Sequence, residues 1–493
     1  MTPIVSTIIL ASIISPADNG MWQMNDLAYD NPAVKQWMLP STFNSIDIGY
    51  HKDTSSLAVD VPGYGTGSDF WNAEANSYMK YKSSTLWGAA SYKNGHLRDV
   101  TWNETSDASL IYPYFTADSV GGDFSMEQYA FSGGYGDQTD KWAWGVSLGY
   151  TAGLYYRNVD PRPKNITGKL DIAVGGGIKI IDNRYFLGAS FNWMKYKQSN
   201  DIDFKSQIGV EKIYHLTGLG THYSRFDGTG TDVYYSGNRP CINLNFFPTS
   251  GSGLVATAEL SQFNCNKILT DLNKLPLAHI SHKALDAQLG WLSYGKTNDW
   301  AATATLNLYR RHGTENIFGD ASSSIYPQIG ELMMYADNSA TINLSGLWQH
   351  RWTDKMILWI RPDIEYFHRT TAYREPVRYM TLNDFSAGVT ASISSKLSAK
   401  WNAALVASYK AIMPFDAELV MPETDSDISS LTSAIDHSYN FASNDINKFS
   451  LEAKFSRTIN ARSEIILSAA WNRTSYCESV NRNDYDIRLA LTF

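Results

Sequence analysis

A transmembrane antiparallel β-barrel is the fold class this sequence predicts, on three observations. Aromatic residues make up 13 % of the 493, with 30 Tyr and 15 Trp, while charged residues fall to 18 %, below the roughly 25 % of soluble globular chains. Apolar residues recur with a period of two, and past the first twenty residues no run approaches the ~20 consecutive apolar positions of a spanning helix. The final segment alternates strictly, with Tyr485, Ile487, Leu489, Leu491 and Phe493 on one face and Asp486, Arg488, Ala490 and Thr492 on the other. That is the pattern of a strand with lipid on one side and a polar lumen on the other. Mean hydropathy is -0.29. Helical membrane proteins are thereby excluded, and so is a disordered chain, because 43 % hydrophobic residues bury enough surface to offset chain entropy.

The chain opens on a short apolar run, Ile4 to Ile14, followed by Ser15-Pro16-Ala17 with small residues where a signal peptidase reads. Residues 1–17 are thus expected to be an export signal, although Met1-Thr2-Pro3 brings no Lys or Arg, and the mature chain starts near Asp18. Residues 18–42 form an N-terminal periplasmic or lumenal segment, and residues 43–493 the barrel. Segments with the two-residue period are expected at 43–50, 73–82, 84–93, 122–135, 141–155, 167–181, 185–197, 239–247, 253–264, 283–294, 300–311, 338–350, 356–369, 382–394, 397–410, 446–459, 463–474 and 484–493. The total is about eighteen strands, with fourteen or sixteen as alternatives, joined alternately by tight turns and by loops of nine residues or more.

Several outward faces begin or end in aromatic residues: Trp142, Tyr150, Trp291, Trp300, Trp401, Tyr409 and Trp471. They are expected to form girdles at the two headgroup layers. The alternate positions face the lumen and carry mixed charge: Lys169, Asp171, Arg361, Asp363, Glu365, Glu452, Lys454, Asp486 and Arg488. A cross-barrel lattice of ion pairs is favoured over a selectivity ring, which would show one sign.

Few residues point to other chemistry. A net charge of -8 excludes a basic nucleic-acid surface. Cys241, Cys265 and Cys477 are an odd number, and the first two lie at different heights of one hairpin, so no disulfide is assigned. The loop Ala411–Asp445 holds seven Asp and Glu and no Lys or Arg. Asp425-Ser426-Asp427 lacks the Gly and Glu of a calcium loop, so a solvated acidic loop is expected over a cation site. His279 and His282 are close in sequence but no further ligands are identified, and His350 and His368 are candidates only in lying near strand ends, with no lipid-level His-Ser pair evident, so no metal, cofactor or enzyme activity is predicted.

Three resemblances add to this reading. The alternating last strand ending on Phe493 resembles the signal by which the barrel-assembly machinery recognises outer-membrane proteins, which implies the outer membrane of a Gram-negative bacterium, with its lipid and lipopolysaccharide. The step Asn31-Pro32-Ala33 before the first strand resembles the N-terminal hatch of FadL-like transporters, in which a short segment enters the lumen. In layout and aromatic character the chain is similar to an uncharacterised group of outer-membrane barrels encoded beside TonB-dependent receptors and surface lipoproteins. The function expected is passage or uptake of small solutes, apolar ones among them. The alternative is an accessory barrel with a plugged lumen whose loops bind a partner receptor or lipoprotein.

Overall fold

The computed structural model contains each of the eighteen expected strands, closed into one antiparallel barrel. It describes residues 21, 24, 30–38, 41–59, 63, 65–206, 211–228, 232–322, 325–353, 355–422, 426–460 and 463–493; the expected export signal lies outside them. The barrel strands are β1 (Phe43–Ser55), β2 (Gly67–Lys80), β3 (Ser84–Val100), β4 (Gly122–Gln138), β5 (Trp142–Tyr156), β6 (Arg162–Ile180), β7 (Tyr185–Asp203), β8 (Val233–Pro248), β9 (Gly253–Leu269), β10 (Leu275–Tyr294), β11 (Asn298–Phe318), β12 (Gln328–Thr353), β13 (Met356–Tyr373), β14 (Arg378–Lys396), β15 (Trp401–Val420), β16 (Ile446–Asn460), β17 (Ser463–Ser475) and β18 (Asn481–Thr492). Each strand pairs with its neighbours in the chain, and β18 returns to β1.

Because side chains alternate across a strand, this closed sheet is apolar outside and polar within. Ile46, Ile48, Leu148 and Leu244 are more than half exposed on the outer surface, whereas Asp47, Asn243 and Asn245 are buried on the inner one. Trp142, Trp291, Trp300 and Trp401 stand exposed near one end of the barrel. Tyr150 and Tyr409 lie eight residues further along β5 and β15. At ~3.3 Å per residue and a tilt of ~40° that separates the two rings by roughly 20 Å, close to the apolar band of such barrels. Trp471 sits at the upper level on β17, opposite Tyr485.

Closure of the seam extends to the last residue. Phe493 and Asn44 exchange both backbone hydrogen bonds at 3.0 Å, and the Phe493 ring is half exposed on the outer face. Deleting Phe493 removes both bonds and the outward ring. The yield of folded, heat-modifiable barrel on expression should fall several-fold, with Phe493→Tyr restoring it. An unchanged yield would mean that these contacts of Phe493 do not limit closure of the seam.

Tight turns do join the strands at the end that holds residues 43 and 493, for example at 81–83, 139–141, 181–184 and 295–297. At the opposite end the expected pattern needs correction. The loops expected at 156–166, 265–282, 370–381 and 475–483 are instead tight turns at 157–161, 270–274, 374–377 and 476–480, because the strands run on past the membrane band. β12 has 26 residues, where about ten suffice to cross. Beyond the lipid both faces meet water or protein, so the apolar alternation stops while the hydrogen-bonded ladder continues.

The expected acidic loop is corrected in the same way. Ala411 to Val420 extends β15, and Ser429–Ala442 forms a 14-residue helix, α1, that buries Leu431, Ile435 and Phe441. Glu418 accepts from Tyr379 Oη at 2.8 Å and Asp416 from Asn383 at 2.9 Å. Asp427 pairs with Lys212 at 3.2 Å, while Glu423 and Asp425 lie outside the described residues.

Candidate functional site

Two inserts occupy the lumen, one at each end, and each follows from local sequence chemistry. At the tight-turn end the segment before β1 enters the barrel as a 3-10 turn, Pro32–Trp37. Asn31 caps it, its Oδ1 accepting from Ala33 N at 2.9 Å while its Nδ2 donates to Asn245 Oδ1 on β8 at 3.0 Å. Pro32 at the first helical position needs no N–H partner and arrives with the right φ. Tyr78 Oη donates to the Lys35 carbonyl at 2.8 Å, and Trp37 meets Phe186 at a tilt and Phe247 edge-on.

The wall under this turn is stripped of side chains. Gly136, Gly145 and Gly175 are register partners on β4, β5 and β6. A Cβ on Gly145 would overlap the Pro32 carbonyl and Ala33 N, and one on Gly175 would overlap Asn31 Oδ1. Backbone therefore lies on backbone. The surrounding apolar core, with Ala33, Val34 and Met38, takes in Tyr78, Trp87, Leu292, Leu347 and Trp359 and runs from β2 round to β15.

At the other end three stretches fold inward as a lid: 101–121, 211–228 and α1. Residues 116–117, 214–218 and 221–222 make a three-stranded sheet. Trp102, Ile111, Tyr114, Phe115, Leu216 and Phe226 pack on Tyr196, Tyr235, Phe263 and Ile280 of the wall. Irregular backbone in a lumen has no ladder to satisfy its carbonyls, and donors from the wall do so instead. Lys267 Nζ donates to Phe115 O at 2.6 Å, Tyr235 Oη to Tyr114 O at 2.9 Å, Arg311 Nη1 to Ser109 O and Tyr112 O at 3.0 Å each, and Arg378 Nη1 to Leu219 O and Gly220 O at 2.7 Å each.

The lid's base is a buried charge cluster. Arg157 Nη2 meets Glu104 Oε1 at 2.9 Å and Asp118 Oδ2 at 2.6 Å, with all three side chains at most 1 % exposed. Burial, and then the neighbouring Asp118, push the Glu104 carboxyl well above its ordinary range. For Asp118 burial acts upward too, but the bonds from Glu104 and Arg157 prevail and hold it below.

Under the lid lies a cavity of about 800 Å³. Its ceiling is apolar, with Phe115, Leu219 and Ile435, and its wall is polar. On the wall Asp337 is held by Arg369 at 2.9 and 3.0 Å, by Tyr309 Oη at 2.8 Å and by Thr371 Oγ1 at 3.2 Å. Below it Asn243, Glu259, Asp286, Asn307 and Thr341 are successive register partners on five adjacent strands. One tier further down Asn245, Thr257, Gln288, Thr305 and Asn343 do the same, and here Asn245 and Gln288 hold the N-terminal segment through Asn31 and the Met24 carbonyl.

Sequence reading named the wall charges but not these tiers. Lys169 pairs with Asp107 of the lid at 2.9 Å, Lys410 bridges Glu365 at 3.0 Å and Asp363 at 3.9 Å, and Arg488 sits 3.8 Å from Asp486. Asp171 faces the lumen on β6 and Arg361 on β13, while Glu452 and Lys454 alternate with the outward Phe455 on β16. Asn31, Pro32 and Ala33 are all buried in the lumen. His279 and His282 take different faces: His279 bonds Asn266 and His282 bonds Arg311. His350 and His368 each bond an asparagine. Among the described residues one group has metal-ligand proximity, His51, Asp53 and Asp484, but Arg482 already lies 2.6 Å from Asp53. Cys241 and Cys265 are free and face Ser261 and Gly237 across the ladder.

The fold and its contents define a transmembrane β-barrel with an N-terminal insert at one end of its lumen and a folded lid at the other. The chain belongs to a family of unknown function, DUF6850, whose model matches residues 32–493. No curated protein matches it. Among solved structures it is similar to the Ralstonia pickettii toluene transporter TbuX, at 9 % identity over 95 % of this chain and 93 % of that one, TM-score 0.31. It is also similar to the ferric preacinetobactin receptor BauA of Acinetobacter baumannii, at 7 % over 92 % and 80 %, TM-score 0.40, and to the ferric citrate transporter FecA, at 11 % over 92 % and 79 %, TM-score 0.41. Likeness this low carries neither solute nor partner over to this chain.

Proposed function

We propose that this barrel sits in a Gram-negative outer membrane and passes small solutes through a gated lumen, with its turns in the periplasm and its lid outside. The observation that carries this reading is the pairing of a solute-sized cavity with a hatch that, among the described residues, few side-chain bonds tie to the wall. Cavities of roughly 300–1,000 Å³ hold small molecules. The lid is held by the wall from β6 to β14, while Asp484, Asp486 and Lys410 elsewhere on the lumen keep 28–33 % of their side-chain surface exposed. Solute arriving from the lid end then meets the cavity first and the hatch second. The cavity has a polar wall and an apolar ceiling, which fits a solute with both characters better than a purely apolar one.

Deleting residues 18–33 should raise the flux of small solutes into proteoliposomes at least tenfold while the barrel stays heat-modifiable. Unchanged flux would remove the gated-passage reading. The density of wall-to-lid hydrogen bonds favours one alternative, a permanently capped accessory subunit that docks a receptor or lipoprotein. On that reading a folded wild-type protein transports nothing and co-purifies with a partner.

A further inference from the structure

We infer that the cavity under the lid is a binding site for an organic cation, a solute carrying an ammonium or amidinium group beside an apolar portion. The inference rests on the gated-passage reading and gives its solute class.

The observation begins with register. Glu259 on β9 and Asp286 on β10 are direct cross-strand partners with both side chains turned inward. Like charges set opposite one another weaken a sheet unless something compensates them. Their tier extends to Asn243 on one side and to Asn307 and Thr341 on the other, with no Lys or Arg in it. Among the described residues neither carboxylate has an ion-pair partner. Asn307 Nδ2 donates to Asp286 at 2.5 Å, the neutral Cys241 thiol donates to Glu259, and Arg239 acts on Glu259 through space without forming an ion pair.

The second observation is independent of the carboxylates. Asn243, 2 % exposed, and Thr257, 6 % exposed, line the same cavity, and Asn243 Oδ1 and Thr257 Oγ1 are buried with no hydrogen-bond partner. Buried polar atoms are almost always satisfied in proteins, by protein, water or ligand. Beside the two carboxylates the orphans are an amide oxygen, which accepts, and a hydroxyl, which accepts as readily as it donates; Arg311 Nε, an orphaned donor at the same cavity, lies higher, at the level of Asp337, so the partner missing beside the carboxylates is a donor and carries positive charge.

Size and surroundings set the rest of the ligand. A bare metal ion fills a small part of 800 Å³. The remaining volume is capped by Phe115, Leu219 and Ile435, which suit a ring or short chain. The other charges at the cavity do not compete for the ligand's cation. Arg369 is matched by Asp337, and Arg311 is spent on the lid carbonyls.

The test uses three probes of one shape, phenethylammonium, phenethyl alcohol and phenylacetate, titrated by calorimetry into the full-length barrel in detergent. Phenethylammonium should bind at least tenfold more tightly than either of the others. The isosteric pair Glu259→Gln with Asp286→Asn should abolish that preference, whereas Asp171→Asn, a lumenal carboxylate away from the cavity, should leave it intact. Asn307→Lys, which supplies a tethered ammonium to the tier, should block phenethylammonium while the barrel remains heat-modifiable. Equal binding of the three probes, or an undiminished preference in the double variant, would overturn the inference. Flux that rises on deletion of residues 18–33 without cation-selective binding sinks this site and spares the passage reading; selective binding without flux does the reverse.

Discussion

The wild-type barrel is expected to be nearly silent in a planar bilayer, and replacing Gly145 with valine is expected to make it conduct steadily. At this position backbone lies against backbone: a Cβ would meet the Pro32 carbonyl and Ala33 N. The 3-10 turn cannot retreat without losing the Asn31 to Asn245 bond and the seat of Ala33 and Val34 in their core. Overpacking of this kind costs about 1–3 kcal/mol, and it falls on the hatch and not on the barrel, because the ladder hydrogen bonds of β5 do not involve side chains. Valine is itself a good strand residue.

Gly149 provides the control. It is an inward glycine of the same strand, and a Cβ there meets nothing nearer than 3.7 Å. Gly149→Val should therefore stay silent, while Gly175→Leu should behave like Gly145→Val. Asn31→Ala removes a cap worth about 1 kcal/mol and should give intermittent openings. If Gly145→Val folds, shows normal heat-modifiability and remains as silent as wild type, the hatch does not close the barrel.

The second large effect is expected from Arg157→Met. Arg157 bonds Glu104, Asp118 and the Pro161 carbonyl in full burial. Removing it leaves two facing carboxyls without their cation, a loss of about 3–5 kcal/mol when one member of a buried ion cluster is deleted. The damage should be confined to the lid, since residues 101–121 are held here and by Asn165 and Asn200, which both donate to the Glu104 carbonyl. Hydrogen exchange should show this stretch losing protection by two to three orders of magnitude, with β5 and β6 unchanged. Combining Arg157→Met with Glu104→Gln and Asp118→Asn removes the orphaned charges and should restore much of the protection. Uniform loss across the barrel would mean that the cluster holds the barrel itself and not the lid.

The same cluster predicts a pH dependence with a definite sign. Glu104 is raised by burial and by Asp118, so its share of lid stability is full below its ordinary value of 4.5 and is lost as pH rises through its elevated folded value. Asp118 is lowered, so its share is present above its ordinary value of 3.8 and is lost as pH falls through its depressed one. The lid should be held hardest in mildly acidic solution and loosen above it by at most about 1.4 kcal/mol per pH unit. Glu104→Gln, which imitates the protonated acid, should flatten the upper limb. A lid whose exchange is independent of pH from 4.5 to 8, after correction for intrinsic rates, would contradict the assignment.

What the sequence determined by itself is the part set by the two-residue period. Ile46 and Ile48, Trp142 to Tyr150, and Tyr485 to Phe493 face lipid because a closed sheet between water and hydrocarbon has one way to place alternating residues, and all eighteen strands were legible on that ground. Even the hatch left a local mark: Asn31 is a cap and Pro32 a first helical residue, a pairing that carries its own physical reason. The glycines at 136, 145 and 175 were visible too, but what lies on them was not.

Tertiary structure decided everything that depends on register and on where the lipid stops. Above the headgroups β9 and β10 lose their alternation, so 265–282 read as a loop. The turn at 270–274 that sets Glu259 opposite Asp286 was hidden with it. The lid was equally out of reach, since its carbonyls are satisfied by Lys267, Tyr235, Arg311 and Arg378 from strands far away in the chain. Periodicity reports which solvent a residue faces; only the folded chain reports which residue it meets.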